Sequence, residues 1–351
     1  MYGLLRRGLF LLPPEQAHGL AMAALRALGA VHLQPALPPG PDLSVTSAGL
    51  RFAHPVMLAA GFDKDAEAVA GLFAVGFAAV EVGTVTPRPQ PGNPAPRLFR
   101  IPEARALVNR MGFNNHGIEA MAARLRALGF RPGPVGVNLG KNKDTPLERA
   151  VDDYVAGVEA LAVLADYLVV NASSPNTPGL RQLQQAEPLR ALLQAVQARL
   201  GEVAPGKPLF LKVAPDLAPE EVDAIVDVAV ESAIAGLICT NTTLARPGVQ
   251  GPAAAEAGGL SGPPLGPMAL GTLRRAAGRA RGRLALWASG GVSTADDVLE
   301  RLEAGADLVQ VYTGFVYGGP GFVPRLLGEL RTRLVARGIG ALSSLHRPEA
   351  A

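Results

Sequence analysis

Eight short apolar runs, separated by stretches of helical periodicity, constrain this chain more than any other feature. They are Val56–Gly61, Ala79–Thr84, Val135–Leu139, Tyr167–Asn171, Leu209–Val213, Leu237–Thr240, Leu284–Ala288 and Leu308–Tyr312. Their apolar residues are largely consecutive, so each run reads as a strand covered on both faces, the pattern of a parallel sheet. Between them, Val151–Leu164, Leu189–Leu200, Pro219–Ser232 and Thr294–Ala304 carry the helical period. Eight strands with intervening helices predict an α/β chain closed into a (β/α)8 TIM barrel. A doubly wound open sheet is the competing arrangement, but no GxGxxG follows the first run.

A length of 351 residues fits one barrel with an added segment. Residues 1–40 are expected to be a helical extension, 41–340 the barrel and 341–351 a tail. After Pro13-Pro14, the residues Ala17, Leu20, Ala21, Ala24, Leu25 and Leu28 form one helical stripe that Gly29 can end. A linker with Pro35, Pro38, Pro39 and Pro41 follows. Arg6, Arg7 and Arg26 against Glu15 make this segment weakly basic. Such a unit either lies in a membrane interface or packs on the main domain, and composition alone favours packing. No apolar run reaches the roughly 18 residues that span a bilayer. Leu9–Leu12 is too short for a secretory signal.

Charge and cysteine content exclude other classes. A net charge of +3 without a Lys/Arg block gives no footprint for nucleic acid. The lone Cys239 cannot form an internal disulfide or a cysteine metal cluster, and it suits a reducing cytosol. Within its apolar run it reads as inert core, as Trp287 reads as barrel packing. His18, His32, His54, His116 and His346 show no metal-ligand spacing.

A barrel of this kind carries its site at the C-terminal strand ends. The successive ends are Ala59–Lys64, Gly83–Pro87, Asn138–Asn142, Asn171–Gly179, Lys212, Thr240–Thr243, Ser289–Gly291 and Tyr312–Gly314. Nearly all are rich in amides, hydroxyls, glycines or lysine. Asparagine offers donor and acceptor together, which suits a flat ring with amide edges. The two last turns match the usual phosphate site of such barrels. With no histidine, paired carboxylate or nucleophile elbow on this rim, the chemistry is expected to reside in an organic cofactor. Lys141–Asp144 reads as a solvated loop outside the site.

AAGFDKD (59–65), GTVTPRPQPGN (83–93), NRMGFNN (109–115), GKNKDT (140–145), NASSPNTPG (171–179), KVAPD (212–216), TNTT (240–243) and GGLSG (258–262) occur in that order. With these blocks, residues 1 to about 335 resemble the dihydroorotate dehydrogenases, and specifically their quinone-dependent, membrane-associated class. The resemblance implies oxidation of (S)-dihydroorotate to orotate with FMN as hydride acceptor and a membrane quinone as final acceptor, in pyrimidine (UMP) biosynthesis at the cytoplasmic face of the membrane. It implies FMN contacts from Ala60, Gly61, Lys64, Thr84, Asn138 and Asn171, and from Lys212, Thr240, Gly262, Gly291, Tyr312 and Thr313. For the substrate it implies Lys64, Asn109, Arg110, Met111, Gly112 and Phe113, with Asn171, Asn176, Asn241 and Thr242. Ser174 matches the family's catalytic base; the soluble class carries Cys there, so Ser favours the quinone-linked class. In that class residues 1–40 form a membrane-facing mouth for the quinone. The rivals are a soluble fumarate- or NAD-linked enzyme, a flavin barrel reducing uridine in transfer RNA, which needs a basic face absent here, and a non-catalytic phosphate-ligand barrel.

Overall fold

The computed structural model describes residues 2–31 and 39–345. The linker residues Pro35 and Pro38, together with His32 and His346, lie outside the described residues. Eight parallel strands close a barrel in simple sequence order. They are β1 (Val56–Leu58), β2 (Val80–Val85), β3 (Val135–Leu139), β4 (Tyr167–Asn171), β5 (Leu209–Val213), β6 (Gly236–Cys239), β7 (Ala285–Ser289) and β8 (Leu308–Val311). Every expected strand is present, with ends displaced by a few residues at most, and helices such as Pro219–Glu231 and Gly266–Ala280 cover the outside. Cys239 is buried, which pushes its thiol up to about 12, in keeping with inert core.

The lower end of the barrel is filled by aromatic side chains. Trp287 of β7 stacks on Phe210 of β5 with centroids 3.9 Å apart, and Tyr167 of β4 meets Trp287 edge-on at 4.8 Å. Gly136 of β3 makes room, since a Cβ there would stand 2.0 Å from the Tyr167 ring. A hairpin, Val45–Ser47 with Leu50–Phe52, caps this end. Its Phe52 packs on Trp287, and the Ser47 hydroxyl accepts the indole N–H at 3.0 Å. Large side chains facing inward therefore close the bottom, and open space remains at the C-terminal strand ends.

Two features at that upper end are absent from the reading of the sequence. First, Leu98–Ile101, Ala106–Asn109 and Gly259–Ser261 form an antiparallel sheet built from the insertions after β2 and β6. Its register sets Asn109 opposite Gly259. Second, residues Tyr2–Leu11 form a helix, α1, ahead of the expected α2 (Pro14–Gly29). Arg100 joins the two features: its guanidinium lies 4.4 Å from the Phe10 ring centroid and donates to the Leu12 carbonyl at 2.8 Å. α2 presses closely on the helix Val69–Ala74, where a Cβ on Gly71 would stand 1.9 Å from the Leu25 carbonyl oxygen. The segment also turns apolar side chains outward: Leu4, Leu11 and Leu20 are 74%, 87% and 55% exposed. No described helix is long and apolar enough to cross a membrane. At the other terminus, Ala341 bridges to Asp42, and Leu342 and Leu345 are buried.

Lys141–Asp144 departs from the expected solvated loop. Lys141 and Asn142 are buried, and Lys141 donates to the Asn142 and Thr145 carbonyls. Asn142 braces the loop after β2 through Thr86, the Arg88 carbonyl and Gln90. A lysine can be buried there because backbone carbonyls surround its ammonium.

His54, just before β1, generates a pH prediction. Its Nδ1 accepts from the Val56 N–H, so Nε2 carries the proton given to the Gly76 carbonyl at 2.9 Å. Burial lowers its pKa from 6.5 to about 4. The unfolded chain therefore binds the extra proton first, and stability falls as pH drops from 6.5 to 4. The loss for this group is about 3 kcal/mol. Denaturant midpoints across that window should fall in the native chain and fall less in His54→Phe.

Candidate active site

The open end of the barrel encloses a cavity of about 410 Å³, within the range of small-ligand sites. Its floor is the uppermost inward-facing layer of the barrel. Lys212 of β5, 5% exposed, donates to the Gln310 Oε1 of β8 at 3.1 Å. Gln310 Nε2 donates to Glu81 of β2 at 2.5 Å, and Asn138 of β3 donates to the other Glu81 oxygen at 2.9 Å. Asn138 Oδ1 accepts from the Thr84 hydroxyl at 2.5 Å and from Asn171 Nδ2 at 3.1 Å. Strand register makes this possible, because Asn171 pairs with Lys212 and Gly83 with Asn138. Burial lowers the Lys212 pKa, opposed by the Glu81 charge.

One wall is a shelf of asparagines. Asn241 donates to Asn171 Oδ1 at 3.2 Å and to the Ser173 hydroxyl at 3.0 Å. Asn176 donates to Asn109 Oδ1 at 3.2 Å, and its backbone N–H donates to Ser174 Oγ at 3.2 Å. Ser174 lines the cavity and is 5% exposed. These loops carry linked amides, so their side chains stand in defined orientations before any ligand arrives.

The opposite wall is built from backbone. A Cβ on Gly291 would stand 2.2 Å from the Gly266 Cα, and one on Gly262 would stand 2.7 Å from the Arg105 carbonyl oxygen. These tight turns lie beside Thr313, whose hydroxyl donates to Ser261 at 2.8 Å. Where the chain enters the helix Thr313–Gly318, its first N–H groups have no intrahelical acceptor. Glycine-walled space with backbone donors suits a phosphate, while the Lys212 floor and the asparagine shelf suit a planar polar ring. The donor set therefore fits FMN.

Lys64 stands at the mouth on a loop held by Asp63, whose carboxylate accepts the backbone N–H groups of Glu67 and Ala68 at 2.9 and 2.8 Å. Burial lowers the Lys64 pKa and raises that of Asp63. α2 closes the mouth with Glu15, His18, Met22 and Arg26. His18 packs edge-on against Phe62 at 5.0 Å. Burial, then the charge of Lys64, takes its pKa down to about 4.

Most residues implied by the resemblance meet here. Ala60, Gly61, Lys64, Thr84, Asn171, Lys212, Thr240, Gly262, Gly291, Tyr312 and Thr313 line the cavity, as do Asn109, Met111, Gly112, Phe113, Asn176, Asn241, Thr242 and Ser174. Two do not. Asn138 belongs to the floor network but is fully buried within it and does not open on the cavity. Arg110 turns outward: it pairs with Glu256 at 2.5 Å, donates to the Pro96 carbonyl and lies over the Phe99 ring. Glu81, Gln310 and His18 were missed. A polar residue inside an apolar strand is a signal that Glu81, Lys212 and Gln310 all carry.

Residues 42–334 match the family model for dihydroorotate dehydrogenase. A dihydroorotate dehydrogenase (quinone) of Myxococcus xanthus is 64% identical over 347 residues, covering 96% of this chain and 95% of that protein. One from Mycobacterium tuberculosis is 50% identical over 351 residues, covering 97% and 96%. The crystal structure of the Eimeria tenella dihydroorotate dehydrogenase in complex with ferulenol is similar at a TM-score of 0.89, with 41% identity and 96% of each chain covered.

Asp63→Ala strands the buried N–H of Ala68 and the half-buried N–H of Glu67. The expected loss is about 1–3 kcal/mol of stability, read by chemical denaturation.

Proposed function

The chain belongs to the quinone-dependent dihydroorotate dehydrogenase family, and on that premise we propose that it oxidises (S)-dihydroorotate to orotate, using FMN and a membrane quinone, in de novo UMP synthesis. The observation that carries this reading is the convergence of Ser174, four asparagines and Lys212 on one cavity whose outer wall is α2. The family model starts at residue 42, whereas the quinone-named relatives also align with most of the N-terminal segment.

FMN, when bound, supplies the acceptor for the hydride that leaves C6 of the substrate. Ala60, Gly61, Thr84, Thr240 and Tyr312 would hold its ring, and Gly262, Gly291 and Thr313 its phosphate. Lys212 brings a positive charge to the floor, where it stabilises negative charge developing in the ligand above it. Ser174 acts as the base toward C5: as its oxygen takes that proton, its hydroxyl passes its own on through a threonine or an ordered water to solvent. Its Oγ already accepts the Asn176 N–H, which fixes the oxygen against the shelf. Asn109, Asn171, Asn176 and Asn241 hold the amide edges and carboxylate of the pyrimidine. Met111, Gly112 and Phe113 shape the neighbouring wall, with Thr242 beside them. Arg110 is left out of these contacts: its backbone N–H donates to the Arg97 carbonyl, its own carbonyl accepts from Asn93, and its guanidinium is engaged with Glu256 and the Pro96 carbonyl. α2 excludes water at the mouth and borders the path for the quinone.

The segment with Leu4, Leu11 and Leu20 exposed and Arg6 and Arg7 nearby is proposed to rest on the cytoplasmic face of the membrane, buried only as far as its outer leucines reach.

Anaerobic dihydroorotate should bleach the flavin band near about 450 nm, and ubiquinone or menaquinone should restore it. Restoration by fumarate or NAD alone would move the enzyme to the soluble class, and a flavin that dihydroorotate leaves yellow would refute the activity. Ser174→Ala should slow bleaching by about 100-fold or more while the protein stays yellow. Replacing Leu4, Leu11 and Leu20 with Asp should abolish co-sedimentation with anionic vesicles and leave the rate of bleaching unchanged.

A further inference from the structure

Glu81 is a carboxylate at the centre of a barrel, 0% exposed, and no step proposed above uses it. Its two oxygens face two amides: Gln310 on one side at 2.5 Å, Asn138 on the other at 2.9 Å. Lys212 Nζ stands 4.0 Å away. A carboxylate accepts hydrogen bonds and donates none, so each amide must turn its NH2 toward it. Gln310 then has only its oxygen left for Lys212, and the bond between them is 3.1 Å. Asn138 likewise has only its oxygen left, and this accepts from Thr84 and Asn171. Asn171 in turn takes Asn241 and Ser173 on its own oxygen. Every donor and acceptor on the cavity floor therefore has its direction set from Glu81 outward.

We propose that Glu81 is the positioning residue of this active site: the buried counter-ion that keeps Lys212 charged beneath the cofactor and sets the orientation of the floor amides through Gln310 and Asn138. The inference rests on the flavin reading of the cavity. Its physical basis is that an isolated ammonium is costly to bury, and an opposite charge beside it restores the charged form. The surroundings of Lys212 leave that role to Glu81. Strand register sets Asn171 of β4 and Ile238 of β6 beside Lys212, Gln310 of β8 accepts its hydrogen bond, and Thr240 and Ser289 line the same cavity. None of these ionises; elsewhere in the barrel Tyr167, whose pKa is raised by burial and then by the Glu81 charge, and Cys239, raised by burial, stay neutral. Tyr312, at the end of β8, is pushed up to about 12 by burial. Among the described residues, Glu81 is the charged partner that opposes the effect of burial on Lys212.

The test is the reduction potential of bound FMN in the intact protein, native and Glu81→Gln, from mildly acidic to mildly alkaline pH. Without Glu81, Lys212 gives up its proton more readily, and the charge that favours the reduced flavin is lost. The Gln variant should therefore be more negative than the native protein at alkaline pH. The gap should shrink as acid returns the proton to Lys212. Lys212→Met should be equally negative, and adding Glu81→Gln to it should bring no further negative shift. An unchanged potential in Glu81→Gln, or a more positive one at every pH, would overturn the proposal, because a bystander carboxylate only opposes reduction. If Glu81→Gln does not fold, Gln310→Met decides the matter: it keeps the carboxylate but removes the bridge, and a potential identical to the native one refutes the inference. A native protein that takes up no flavin would instead sink the cofactor assignment itself.

Discussion

A parallel barrel buries both faces of its strands, so only its two ends are open to a ligand. Here the lower end is filled by the Trp287, Phe210 and Tyr167 rings under a hairpin lid. That packing leaves one place where eight strand ends can meet a small molecule. Everything chemical in the molecule depends on it: Lys212, Gln310, Glu81 and Asn138 come from four different strands, and the closed sheet aims them into one layer.

The layer is polar inside an apolar barrel, which carries a cost unless each group finds a partner. The network on the floor meets that condition. A lysine and a glutamate are joined by an amide, and a second amide links the glutamate to a threonine and an asparagine. A network so linked is stiff. A cavity floor that does not relax can present the same charge and the same hydrogen-bond pattern to each ligand, which is what electrostatic catalysis requires.

The N-terminal helices supply what the barrel lacks, an outer wall. α2 seats against the helix Val69–Ala74 through a glycine contact too close for any side chain and brings His18 and Met22 over the mouth. Arg97 ties it to the rim, donating to Glu15 of α2 at 3.0 Å and to the Asn93 carbonyl at 2.9 Å. Asn93 donates to the Asn176 carbonyl in the loop of Ser174. One chain of contacts thus runs from the segment proposed to touch the membrane to the loop proposed to move the proton.

Local chemistry made much of this readable in advance. Consecutive apolar residues mark a strand wherever it ends up, so all eight strands could be found from their own residues, and ordered motifs such as NASSPNTPG and KVAPD identified the family and about half of the cavity lining. What stayed hidden depends on partners distant in the chain. Arg110 sits inside a motif yet points at Glu256, because the sheet that turns it outward pairs residues 107–109 with 259–261. Glu81 and Gln310 are 229 positions apart and become neighbours through barrel closure alone. A strand's residues say that it will be buried; which side chain it meets there is a matter of register, and register is set by the whole closed sheet.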